Sequence, residues 1–118
     1  MIFPVSPALS ALSAYNKRMD VTANNVANVN TDEFKKSRLN MKEGNNGGVT
    51  TTLQQIDAPG IPKEVIRSDG TTEMTESSNV DLAEEFTDMI TTEAGYDANL
   101  KTVKTQNEML GSLFDIIG

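Results

Sequence analysis

Six apolar residues recur at intervals of seven in the last third of the chain: Leu82, Met89, Tyr96, Val103, Leu110 and Ile117. That is the 3.5-residue periodicity of a helix seam, unbroken from residue 82 to the end. Four residues further on, the companion row reads Phe86, Glu93, Leu100, Asn107 and Phe114, alternating apolar with polar. A helix from Val80 to Ile117 would be about 55 Å long, more than a short chain needs to cover its own core. Such a helix is expected to require a partner helix. Asp81 is the expected N-cap, with Glu84 three residues on completing a capping box, and Glu84, Glu85 and Asp88 suit the positive end of the helix dipole. Gly95 and Gly111 each cost about 1 kcal/mol relative to Ala in a helix interior. Gly95, beside Tyr96, is either a place of close approach or a soft point in the helix.

The rest of the chain offers little core of its own. It has no Trp and few aromatics, and His and Cys are absent. Disulfides, thiolate metal sites, cysteine nucleophiles and the usual general base near neutral pH are therefore all missing. Ser77-Ser78 and the scattered carboxylates form no nucleophile–base pattern. No enzyme activity, cofactor or metal is expected. No run approaches the roughly 18 apolar residues of a membrane span, and the first residues, Met-Ile-Phe-Pro-Val-Ser-Pro, lack the basic start and apolar core of a cleaved signal peptide. Charge is uneven: residues 1–42 carry +3, residues 43–78 carry −4 and residues 79–118 carry −6, for a net −7. The basic first third should attract the acidic last third, within one chain or between copies.

Ser6-Pro7 reads as a helix start, with Ser as N-cap and Pro at the first helical position. Leu9, Leu12, Met19, Ala23 and Val26 then share a face, with Asn16 interrupting. The stretch from Val21 to Thr31 holds Asn24, Asn25, Asn28 and Asn30, an unfavourable load for a helix. Two accounts fit: a helix fraying into its cap, or Asn amides hydrogen-bonding across a close, Ala-lined helix contact. Phe34 to Met41 alternates apolar with basic residues as an exposed strand would, and the surrounding acidity argues against nucleic acid as its partner. Glu43 to Gly48 is a turn, Val49 to Ile56 a strand, Asp57 to Pro62 a break, and Glu64 to Arg67 a second short strand closed by Ser68-Asp69-Gly70. Thr71 to Asn79 reads as a polar linker. The expected organisation is an N-terminal helix in residues 1–31, a strand and loop segment in 32–78 and the long helix in 79–118. The fold class is mainly α, the terminal helices pairing as a coiled-coil-like hairpin with a small β-hairpin-like middle.

The two ends also carry a resemblance. Ala11 through Thr31, containing Met19-Asp20-Val21-Thr22-Ala23-Asn24-Asn25-Val26-Ala27-Asn28-Val29-Asn30, resembles the N-terminal signature of bacterial flagellar basal-body rod and hook proteins. Ser78 to Phe86, Tyr96 to Lys101 and Asn107 to Gly111 resemble the family's C-terminal block, in the family's order. The short middle is most like that of a short proximal rod protein. Two departures stand out. Glu33 sits where the family commonly has Gly, and Glu93-Ala94-Gly95 lacks the Gln-Arg often found before the aromatic.

The resemblance implies a self-assembling structural subunit in the basal-body rod. It would contribute terminal helices to an inner tube that transmits torque and forms the export channel. Its partners would be itself, other rod and hook subunits and the flagellar export apparatus, which needs no cleaved leader; no nucleic acid and no membrane insertion are implied. In that reading the seam is Leu9, Leu12, Met19, Val26, Leu82, Phe86, Met89, Tyr96, Leu100, Val103, Leu110, Phe114 and Ile117, and the polar signature residues Asn24, Asn25, Asn28 and Asn30 set its register. The alternative is a soluble flagellar binding module that engages export or rod proteins without entering the axis.

Overall fold

The computed structural model describes residues 5–118. In chain order they form helix α1 (Val5–Ala27), strands β1 (Ser37–Glu43), β2 (Val49–Gln55), β3 (Pro62–Ile66) and β4 (Thr72–Glu76), and helix α2 (Leu82–Ile117). The helices run antiparallel: Asn25, near the end of α1, meets Glu85, near the start of α2, and Tyr15 meets Gly95. The mainly α hairpin of terminal helices is as expected, and the middle holds two antiparallel β-hairpins. The molecule is a rod, 81 × 25 × 19 Å.

Small residues make the helices approach closely. The buried apolar side chains among the described residues are Ala8, Ala11, Leu12 and Ala14. A Cβ built on Gly95 would lie 2.5 Å from Cζ of Tyr15, so the ring occupies the space that any other residue would fill. Of the two accounts of Gly95, close approach is the one observed, and its helper is a residue of the same chain. The absence of a larger residue before Tyr96 thus makes room for Tyr15.

β1 and β2 pair from Ser37↔Gln55 to Glu43↔Val49. α1 crosses this hairpin and is fastened to it by a polar clamp at each end. At one end Ser10 Oγ accepts from Val49 N at 2.9 Å, close against Gly48. Gly48 has φ +79°, a left-handed backbone that favours glycine, and a Cβ there would meet Ser10 Oγ at 2.7 Å. At the other end Asn25 clamps Ser37, as described below. The strand begins at Ser37, three residues later than expected at Phe34, because Phe34 N and O are engaged in the turn with Thr31 O and Asn79 N.

β3 and β4 pair from Pro62↔Glu76 to Ile66↔Thr72 and pack on no helix. The expected linker from Thr71 to Asn79 is therefore corrected: Thr72–Glu76 is a strand. An unburied strand needs no apolar alternation, so its sequence shows none. The hairpin is tied down at its base, where Glu33 N donates to Glu76 O at 2.9 Å and Ser77 N to Ile61 O at 2.9 Å. Asn79 Nδ2 donates to Ile56 O and Ala58 O, both at 2.8 Å, and its Oδ1 accepts from Lys36 N at 2.7 Å.

Three helix-end expectations need separate statements. α1 already includes Val5, so it starts before the expected cap at Ser6, and the cap contact itself lies outside the described residues. Asp81 caps α2, its carboxylate accepting from Ala83 N at 2.9 Å and Glu84 N at 3.4 Å. Glu84 does not complete a capping box; its carboxylate is drawn away by Lys36 and Arg38 at 2.7 Å each.

Candidate assembly interface

α2 turns a polar line toward α1. Glu85 and Thr92 are fully buried, and Asn99, seven further on, is half-buried. Glu85 carries the highest cost, since a carboxylate removed from water must be paired. Arg38 Nη1 lies 2.7 Å from its Oε1, and Asn25 Nδ2 donates to its Oε2 at 3.2 Å. The same Asn25 amide donates to Ser37 O at 2.9 Å and accepts from Ser37 N at 3.0 Å. It thereby bonds the edge of β1 as a neighbouring strand would, while holding α2. Burial alone would lower the pKa of Arg38, but hydrogen bonds and charge from Glu84 and Glu85 hold it above its ordinary value. Hydrogen bonds from Lys36 and then Arg38 hold Glu84 below the usual carboxylate range.

Arg18 pairs with Asp88 at 3.0 Å on the same side of α2. The expected attraction between the basic first third and the acidic start of the last third is thus realised within the chain. Lys36 and Arg38, in the segment read as a basic strand, are both engaged with α2, and Lys35 pairs with Glu76 at 2.9 Å.

The four signature asparagines separate into two roles. Asn25 is 0% exposed and crosses the helix contact. Asn24 and Asn28 belong to the end of α1: Asn28 N donates to Asn24 O at 3.2 Å, Asn28 Nδ2 donates to the same oxygen at 2.9 Å, and Thr31 Oγ1 donates to Asn28 Oδ1 at 3.1 Å. Asn30 is exposed. Each account of the Asn-rich stretch therefore describes part of it.

The apolar positions also divide. Leu12 is buried, and Met19, Val26, Met89, Tyr96 and Val103 are half-buried. Leu9, Leu82, Phe86, Leu100, Leu110, Phe114 and Ile117 are exposed, so α1 of the same chain covers only part of the stripe. The reason is geometric. The stripe lies three residues from the Glu85–Thr92–Asn99 repeat that meets α1, about 60° around the helix, so it flanks that contact. From Asn107 onward no described residue covers it. Glu85, Thr92 and Asn99, the buried polar line, were missed because they are polar; their one signal is that they too recur every seven residues.

From Asn107 onward every residue of α2 is exposed. This last stretch carries Met109, Leu110, Leu113, Phe114, Ile116 and Ile117, between 44% and 83% exposed. Its apolar face continues the line that α1 covers further up. The line is polar where α1 meets it and apolar where no described residue covers it. Among the described residues no helix is long and apolar enough to cross a membrane, and no acidic group has the arrangement of a metal site.

Comparison with known proteins agrees with this architecture at both ends. Residues 7–35 match the family described as flagella basal body rod protein, and residues 71–116 match the flagellar basal body rod FlgEFG protein C-terminal family. The flagellar basal-body rod protein FlgC of Buchnera aphidicola is 30% identical over 122 aligned positions, covering 86% of this chain and 86% of that protein. The flagellar hook proteins FlgE of Borreliella burgdorferi and Treponema pallidum are 55% and 36% identical over 32% and 63% of this chain. The chain spans only 9% and 14% of those hook proteins. With its terminal blocks, their order and a near full-length likeness to a rod protein, the chain belongs to the flagellar basal-body rod and hook protein family, a family of structural proteins.

Proposed function

We propose that this chain is a self-assembling subunit of the flagellar rod, and that the exposed end of α2 packs against terminal helices of neighbouring axial subunits. The carrying observation is the change of character along one line of α2. Glu85, Thr92 and Asn99 meet α1, whereas Leu113, on the same repeat, and Leu110, Phe114 and Ile117 around it lie in solvent. Leaving such a row wet is costly, at about 25 cal/mol per Å² of apolar surface, and a neighbour's helix would recover it. Leu9, Leu82, Phe86 and Leu100 would join that contact, with the half-buried Met89, Tyr96 and Val103 bordering it. In this reading the assembled helices form the inner tube that transmits torque and bounds the export channel, and the chain reaches the rod through the flagellar export apparatus. The proposed units are the α1 segment (1–31), the two hairpins (32–78) and the α2 segment (79–118), with only the first and last entering the tube.

The test is Leu110→Asp in cells that lack the native copy. A charge on the uncovered row should abolish rod assembly and motility while leaving the purified chain folded, since Leu110 lies in the stretch of α2 whose residues are all exposed. Normal motility, or a protein found only in the cytosol when basal bodies are fractionated, would overturn the reading in favour of a soluble binding module.

A further inference from the structure

A second heptad row runs along α2, stepping three and four residues alternately from Ala83 to Phe114. At 3.6 residues per turn it lies about 100° around the helix from the Glu85–Thr92–Asn99 line. Glu84 and Asp88, which bind Lys36, Arg38 and Arg18, are on the other side, so the body of the molecule leaves this row clear. Its large side chains are open to solvent: Phe86 is 51% exposed and Phe114 69%.

We infer that this row is a self-complementary surface on which a second copy of the chain docks its own α2, antiparallel, about a two-fold axis between Ala98 and Asn99. The axis also sets Ile90 against the second copy's Asn107 and Asp97 against its Leu100; two other features of the row select the arrangement. The first is charge: Glu93 precedes the axis and Lys104 follows it at the matching distance, so each Glu93 faces the second copy's Lys104. An unshifted parallel pair would instead set Glu93 against Glu93 and Lys104 against Lys104, which is unfavourable. The second is size. The same axis sets Phe86 against the second copy's Gly111, and Ala83 against its Phe114, large against small at both ends. Gly111 costs about 1 kcal/mol in a helix interior, and a Cβ built there meets no atom within 4 Å. No described residue of its own chain fills the space beside that glycine; a ring from a second copy would. The pairing is a state of the free chain and goes beyond the rod reading, because a subunit in a polar array cannot keep a two-fold partner on this row.

The test uses the full chain in sedimentation equilibrium from about 10 µM to about 1 mM, protein concentrations chosen around the weak affinities of charge-bordered surfaces. A monomer–dimer equilibrium is expected. Glu93→Lys should weaken it by about tenfold or more, because two attractive contacts become repulsive, and adding Lys104→Glu to the same chain should restore it to within about threefold. Since the chain has no Cys, orientation is read by mixing Phe86→Cys chains with Gly111→Cys chains; a mixed disulfide is expected. A wild-type monomer at every concentration, a dimer indifferent to Glu93→Lys, no rescue by the swap, or no mixed disulfide each overturns the inference. Rod incorporation is scored separately in cells. A monomeric chain that enters the rod overturns only the pairing, and a dimeric chain absent from the rod overturns only the rod reading.

Discussion

Asn25→Ala should be the most damaging single asparagine substitution in the chain. Asn25 is fully buried and makes three hydrogen bonds, two with the backbone of Ser37 and one with Glu85. Each bond contributes about 1 kcal/mol net, and the groups left behind fare worse than the average, since Glu85 is itself 0% exposed and cannot recruit water. Better helix propensity for Ala returns about 0.7 kcal/mol. The expected loss is about 2–4 kcal/mol, a large share of the roughly 5–15 kcal/mol that holds a domain together. With a urea dependence of about 1–3 kcal/mol per molar, the unfolding midpoint followed by circular dichroism should fall by about 1–2 M. Asn24→Ala is the control. Asn24 is exposed and takes part only in the turn at the end of α1, so its change should stay within about 0.5 kcal/mol. A loss at Asn25 smaller than about 1 kcal/mol, or equal to that at Asn24, would refute the view that one amide joins α1, β1 and α2.

Gly95→Ala should destabilise by about 1–2 kcal/mol despite the gain in helix propensity, because the new Cβ would meet the Tyr15 ring at 2.5 Å. In a Tyr15→Ala background the same change should stabilise by up to about 1 kcal/mol; a change of the same sign in both backgrounds, measured as a double-mutant cycle in urea, counts against the packing. Glu33→Gly should cost nothing and gain up to about 1 kcal/mol, since Glu33 has φ 60° and pays the left-handed penalty that glycine avoids. A measured loss beyond about 1 kcal/mol would mean that its Thr75 contact, at 3.2 Å, matters more than its backbone. Acidification should loosen the base of both hairpins. Glu84 and Glu76 are held below their ordinary 4.5, by Lys36 and Lys35 respectively, so their contribution is complete above that value and disappears as pH falls through the lowered folded value. A urea midpoint that stays constant from about pH 7 to about pH 3 would contradict this linkage.

The long helix, its Asp81 cap and the turn at Glu43 to Gly48 were legible because each rests on local chemistry: periodicity, a carboxylate over free N–H groups, and glycine. The family blocks were legible for the same reason, being contiguous. Glu33 was visible as a departure, and the structure supplies its physical meaning in the positive φ that glycine elsewhere satisfies without strain. β4 was not legible, since a strand with no buried residue imposes no pattern on Thr-Glu-Met-Thr-Glu. Nor could residue type tell Asn25 from Asn24: one turn angle of α1 places the first against β1 and α2 and the second in water.

By itself the sequence determined that a long helix carries an unbroken apolar heptad stripe and calls for a partner helix, because a heptad repeat is a property of the helix alone. Which part stays uncovered was decided only in three dimensions. α1 meets α2 on the polar line through Glu85 and Thr92, where Asn25 and Arg38 can pay the desolvation of a buried carboxylate with hydrogen bonds and charge. That register leaves the apolar stripe open on a flank at Leu82 and exposed at Ile117, the surface proposed to meet neighbouring subunits.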